Sequence, residues 1–262
     1  MTKDGLEYIS SFIQSMTCDE NIIKIIKQNY TLKLDREDFS AINLPENTVG
    51  FYWEYSGNKM IKAYEPFLDI IRTMIQKENM NIDNVLDDVG IYSLQKSIFK
   101  SYIETGIVKR NEAALLGERD YEEGKIITGI ANLLLKLSEN HDIFILLNDA
   151  HLMCDSTFKV LLELQTRTSY SFKILMITNE MGSIKGYMTE RYNAFIQKCG
   201  EQGMVSDWPC VEEYTDKNTD KTFNLLNTEE ELLNINNMFY TFALEQAEYY
   251  MNMIYQKVEL DK

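Results

Sequence analysis

Two short apolar runs separated by one helix constrain this chain more than any other feature. IFILL (143–147) and FKILMIT (172–178) are continuous rather than alternating in hydrophobicity. A strand that alternates has one wet face; a strand that is apolar throughout is covered on both, as in parallel sheets. Between the runs lies DSTFKVLLELQTRT, a helical pattern with Asp155 or Ser156 placed to cap it. Strand, crossover helix and strand form a βαβ unit, and such crossovers are almost always right-handed. The chain is therefore expected to be α/β: a three-layer parallel sheet with flanking helices and a C-terminal helical segment.

The remaining segments arrange themselves around that unit. NTVGFYWEYS (47–56) is aromatic and rich in strand-favouring residues, and reads as a further strand. YEPFLDIIRTMIQK follows as a helix, with Pro66 in its first turn, where a missing N–H costs little. Residues 82–108 read as helical with breaks near Gly90 and Gly106, and 122–140 as a strong helix. Residues 5–30 read as two short helices, because Ile22, Ile25 and Ile26 fall at helical spacing; 31–47 read as irregular. Residues 186–203 read as a helix and 228–260 as a long amphipathic helix or hairpin, with a polar loop between them. The expected organisation is an N-terminal helical segment (1–45), an α/β core (46–180) and a C-terminal helical region (181–262).

Charge and composition exclude several classes. The formal net charge is −15. With no compensating Lys/Arg cluster, such a chain repels phosphate backbones and anionic membrane surfaces, so neither nucleic acid nor membrane is expected as a partner. Cys18, Cys154, Cys199 and Cys210 form no CxxC pair, and His141 and His151 complete no zinc pattern. The cysteines read as reduced thiols of a cytoplasmic protein. No apolar run approaches the length of a membrane helix.

The chemistry-bearing residues cluster where the two apolar runs end. Ligands of open α/β sheets bind beyond the carboxyl ends of strands. Asn148, Asp149, His151 and Asp155 follow the first run; Thr178 and Asn179 end the second. In a nucleoside triphosphatase such a strand end gives an Asp to the magnesium shell and a nearby acid or Gln to the attacking water. Here one member of the acidic pair is an amide, which holds a hard cation less well. Capping and turn hydrogen bonds account for the same residues without a ligand, and Asp155 suits an N-cap better than a metal site. The phosphate cradle, GxxxxGK followed by Ser or Thr, is absent. Gly50 and Gly57 precede Lys59 at the wrong spacing, and Gly117, Gly124 and Lys125 are followed by Ile126.

Residues 122–180 resemble the Walker B half of the STAND and AAA+-like ATPase modules of bacterial regulators. That family shows an apolar strand, then D-D-x-H-x-x-x-D, a helix, and a strand ending in T-x-R. The corresponding residues are Asn148-Asp149-Ala150-His151-Leu152-Met153-Cys154-Asp155 and Thr178-Asn179-Glu180. Residues 51–71 resemble the family's second strand and a following helix. The resemblance implies a nucleotide and magnesium remnant at Asn148, Asp149, His151 and Asp155, with Asp149 as its metal ligand. It also implies a sensor position at Thr178 and Asn179, and ATP with Mg as cofactor. The missing cradle and Asn148 depart from the pattern. The function expected is thus a degenerate or truncated regulatory module, with nucleotide binding weak or lost, acting on a protein partner through its C-terminal helices. Two alternatives stay open: an active ATPase with an unusual phosphate loop, and a helical interaction scaffold without nucleotide.

Overall fold

The computed structural model describes residues 3–28, 34–55, 60–91, 93–108, 119–179, 188–207 and 228–260. The chain forms two compact units, each assembled from three separate stretches. The first comprises residues 1–57, 138–153 and 164–222; the second comprises 58–137, 154–163 and 223–262.

The first unit holds a five-stranded, all-parallel sheet in the order β2-β3-β4-β1-β5. Its strands are β1 (Ile23–Gln28), β2 (Thr48–Glu54), β3 (Asp142–Asn148), β4 (Phe172–Asn179) and β5 (Val205–Asp207). The expected strands at 47–56, 143–147 and 172–178 are all present. In β3, residues 143–148 are all buried, which is why both faces read as apolar.

One sheet face is closed by α1 (Lys3–Met16) and by α2 (Arg36–Ala41) with the residues after it. Ile9, Ile13 and Met16 of α1 recur every three to four residues and pack with Ile26, Phe144, Leu146, Leu175 and Ile177. Each is almost fully buried, worth roughly 1.5–3 kcal/mol of apolar transfer. Phe39 and Leu44 pack against the same cluster. Gly50 of β2 makes room for them: a Cβ there would overlap Leu44 Cδ1 and meet Phe39 at 3.0 Å. Gly50 thus serves close packing within a strand and has no part in a phosphate loop.

Two expectations are corrected here. The helix expected over 19–30 is not found in its described part, 19–28: 23–28 form β1, a central strand between β4 and β5. Residues 31–47 are not wholly irregular, since 36–41 form α2. Asp35 caps it: Asp35 Oδ1 accepts from Asp38 N at 2.8 Å, and Asp38 Oδ2 accepts from Asp35 N at 3.3 Å.

The second unit is helical: α3 (Phe67–Lys77), α4 (Ile82–Asp88), α5 (Ser93–Thr105), α6 (Arg119–Leu137), most of α7 (Asp155–Gln165), α9 (Thr228–Tyr240) and α10 (Leu244–Leu260). α8 (Thr189–Glu201) belongs to the first. Gly90 and Gly106 stand at φ 74° and 73°, where a Cβ is disfavoured, and they end α4 and α5 as the sequence suggests. The expected pattern at 228–260 is a hairpin turning at Phe242, which has φ 62°. A buried polar network ties α10 into this unit. Ser156 Oγ accepts from Tyr64 N at 2.8 Å and donates to Gln246 Oε1 at 2.5 Å. Gln246 Nε2 donates to Ile61 O at 2.7 Å, and Tyr250 Oη accepts from Ile61 N at 2.9 Å. Among the described residues, no helix is long and apolar enough to cross a membrane.

Candidate functional site

The strand order singles out one place on the sheet. The step from β1 to β2 runs toward one edge, whereas those from β2 to β3, β3 to β4 and β4 to β5 run toward the other. The direction reverses between the neighbours β1 and β4. Ligands of open α/β sheets bind at such a switch point, beyond the carboxyl ends of the strands. Gln28 and Asn179 lie opposite each other there, as do Lys27 and Thr178. On the next strands, Glu54 lies opposite Asn148.

Five of the six sequence-predicted residues, Asn148, Asp149, His151, Thr178 and Asn179, lie in the first unit. Asp155 belongs to the second. Asn148 is 1% exposed. Its Nδ2 donates to the Leu34 carbonyl at 3.2 Å, and Tyr52 Oη donates to the same oxygen at 2.5 Å. The chain following β1 is thus pinned to the ends of β2 and β3 by two donors on one acceptor. This explains the amide at 148: a carboxylate there could only accept, and would face another acceptor across the contact. Asn148 Oδ1 is buried without a hydrogen bond. Burial, and then the charge of Glu54, push the Tyr52 phenol well above its ordinary value, so it remains a donor.

Asp149 takes the left-handed conformation, φ 50° and ψ 40°, and starts a single 3-10 turn, Ala150–Leu152. Its carbonyl accepts from Leu152 N at 2.9 Å, and its side chain does not cap the turn. Asp is among the few residues that tolerate this backbone. Asp149 and His151 are both buried, at 5% and 6% exposure. Thr178 is also buried, with Oγ1 2.5 Å from Tyr192 Oη of α8. Burial pushes that phenol up to about 12. Asn179 closes β4 in register with Gln28. Glu180 lies outside the described residues.

Asp155 is the first residue of α7 rather than the residue that caps it. It pairs with Lys159 one turn on, at 2.8 Å. Lys159 Nζ also lies 3.0 Å from both oxygens of Glu123 on α6 and 3.7 Å from Glu245 of α10. Burial, joined by neighbouring carboxylates, holds Asp155 and Glu123 above the usual carboxylate range. Burial works against the Lys159 ammonium, yet its hydrogen bond to Asp155 and the surrounding carboxylates carry it above its ordinary value.

These residues do not fit a magnesium–triphosphate site. Asn148 is committed to Leu34, and Asp155 to Lys159. Gly124 and Lys125 sit inside α6, where Lys125 pairs with Glu122 at 3.1 Å. Gly57, Lys59 and Gly117 lie outside the described residues. The stretch after β1, where a cradle would sit at the switch point, reads Asn-Tyr-Thr-Leu-Lys-Leu-Asp from 29 to 35 and contains no glycine. A nest of amides that approaches a phosphate closely depends on glycine. Among the described residues, no three His, Cys, Asp or Glu side chains are grouped to hold a metal ion.

Sequence reasoning missed Leu34, Tyr52 and Tyr192, whose roles depend on contacts between distant segments. It also missed the Lys159 cluster, although acid and lysine four residues apart in Asp155-Ser156-Thr157-Phe158-Lys159 were a local signal for one of its pairs. No family model matches the chain, and no curated protein matches it.

Proposed function

We propose that this chain is a degenerate module of the STAND/AAA+-like kind, with a P-loop-NTPase-like sheet whose nucleotide site has become a structural joint. It acts in regulation through protein contacts made by the C-terminal helices, in the cytoplasm. The parallel sheet and its order support this reading. The observation that carries it is the Asn148 amide bonded to the Leu34 carbonyl at 3.2 Å, in the position where the resembling family has its first acid. No catalytic step is assigned.

A second reading, a working ATP-binding regulator with an unusual loop, is favoured by one observation: Asp149 follows β3 on a backbone held at φ 50°, and left-handed non-glycine residues are found more often at functional sites. Calorimetric titration of the full chain with Mg-ATP separates the two. The degenerate module gives no saturable heat at micromolar nucleotide. Micromolar binding that Asp149→Ala abolishes would replace it with the second reading.

A further inference from the structure

Carboxylates from three helices of the second unit meet at one ammonium. Lys159 Nζ lies 2.8 Å from Asp155 Oδ2 on its own helix, α7, and 3.0 Å from each oxygen of Glu123 on α6. Glu245 Oε2 on α10 is 3.7 Å away. An ammonium has three N–H groups and no acceptor. Glu123 takes two of them and Asp155 the third, so at 3.7 Å Lys159 holds Glu245 by charge and not by a hydrogen bond. Glu245 hydrogen-bonds instead with the carboxyl of Asp155. An ionised carboxylate can only accept. That bond therefore exists only while one of the two carries a proton.

The fold keeps the pair together. Asp155 and Glu245 both stand in the first turns of their helices. One residue on, Ser156 Oγ donates to Gln246 Oε1 at 2.5 Å. Each helix start favours an anion of its own, and the packing sets the two side by side, where such a pair resists losing its last proton. The Asp155 side chain is 2% exposed, so water screens it little; that of Glu245 is 40% exposed and gives the proton a way to solvent. Two further titratable groups face the cluster from the segments beside it. The Tyr64 phenol feels Glu123, Asp155 and Cys154, and burial pushes it well above its ordinary value; it donates to the Thr241 carbonyl at 2.7 Å. The Cys154 thiol lies 3.1 Å from Thr157 Oγ1.

We infer that α10 is fastened to α7 by a proton shared between Asp155 and Glu245, a latch that loosens the C-terminal hairpin as pH rises. It needs neither nucleotide nor partner. The direction follows from Asp155: burial, opposed by Lys159 and joined by Glu245, raises its carboxyl above the usual range. The contact is thus at full strength below the unfolded value, about 3.9, and is lost as pH rises through the folded one.

The test is hydrogen exchange of the full chain from about pH 4 to 7, read by mass spectrometry and corrected for the intrinsic rate at each pH. Protection of α10 falls at least about 10-fold relative to α1 over that range, the factor that one unit of raised pKa gives. In Glu245→Gln it stays level, because a neutral amide donates to Asp155 at any pH. Asp155→Asn behaves the same way and decides the matter should Glu245→Gln fail to fold by circular dichroism. Glu248→Gln, which removes an exposed acid of the same helix, keeps the wild-type fall. Level protection in the wild type overturns the latch, as does a fall that survives in the folded Glu245 or Asp155 variant. An equal fall in α1 also overturns it, since the loosening is then global. Loss of the fall in Glu248→Gln overturns it too, giving the effect to the charge of the helix as a whole.

Discussion

Asn148 and Asp149 carry adjacent jobs that a sequence motif cannot tell apart. The first uses its amide as a donor; the second uses its tolerance of a left-handed backbone. That division gives a clean test at Asp149, because glycine and alanine both delete the carboxylate and differ mainly in backbone freedom. In most contexts alanine is the more stabilising of the two. At φ 50° the order reverses, and Asp149→Gly should exceed Asp149→Ala in unfolding free energy by about 1 kcal/mol. Denaturant titration of the two variants measures this; equal stability, or an advantage for alanine, contradicts a backbone role. The sequence marked Asp149 as a metal ligand or a capping residue rather than as a left-handed one, and the Asp155–Lys159 pair was missed although its spacing offered it. The partner of Asn148 was not visible, because Leu34 contributes only a carbonyl, which any residue could supply.

Among the elements, β3, α7 and β4 were legible because several signals agreed: continuous apolar strands, an acid at the helix start and an amphipathic crossover. β1 was not, because Ile22, Ile23, Ile25 and Ile26 satisfy a helical stripe as well as a strand buried on both faces. β-branching favoured the strand, and the sheet decided it. The cluster joining α6, α7 and α10 through Lys159 makes a prediction about pH. Glu123 has its folded value raised by burial. Its contribution to stability is therefore fully present below the unfolded carboxylate value, about 4.3, and is lost as pH rises through the folded value. Glutamine does not titrate. Glu123→Gln should therefore gain stability relative to the wild type as pH is raised from about 4 to 7, read from unfolding midpoints at each pH. A variant that loses ground over that range would show that the Lys159 pairing outweighs the burial of the acid.

Across the whole molecule, a parallel sheet and a helical unit are woven from alternating stretches of one chain. Local periodicity could reveal the helices and the apolar strands, but not which unit each stretch joins, since that depends on contacts between distant segments. The strand order places the switch point between β1 and β4; on the reading proposed above, the glycine-free stretch after β1 and the amide at the end of β3 leave a triphosphate without its cradle and its first acid. Unfolding of Asn148→Asp, followed by denaturant with and without Mg-ATP, tests this most directly. The substitution sets a carboxylate against the Leu34 carbonyl; the expected outcome is a loss of about 1–3 kcal/mol that Mg-ATP does not recover. A variant as stable as the wild type, with a midpoint that rises on adding Mg-ATP as ligand linkage requires, would contradict it.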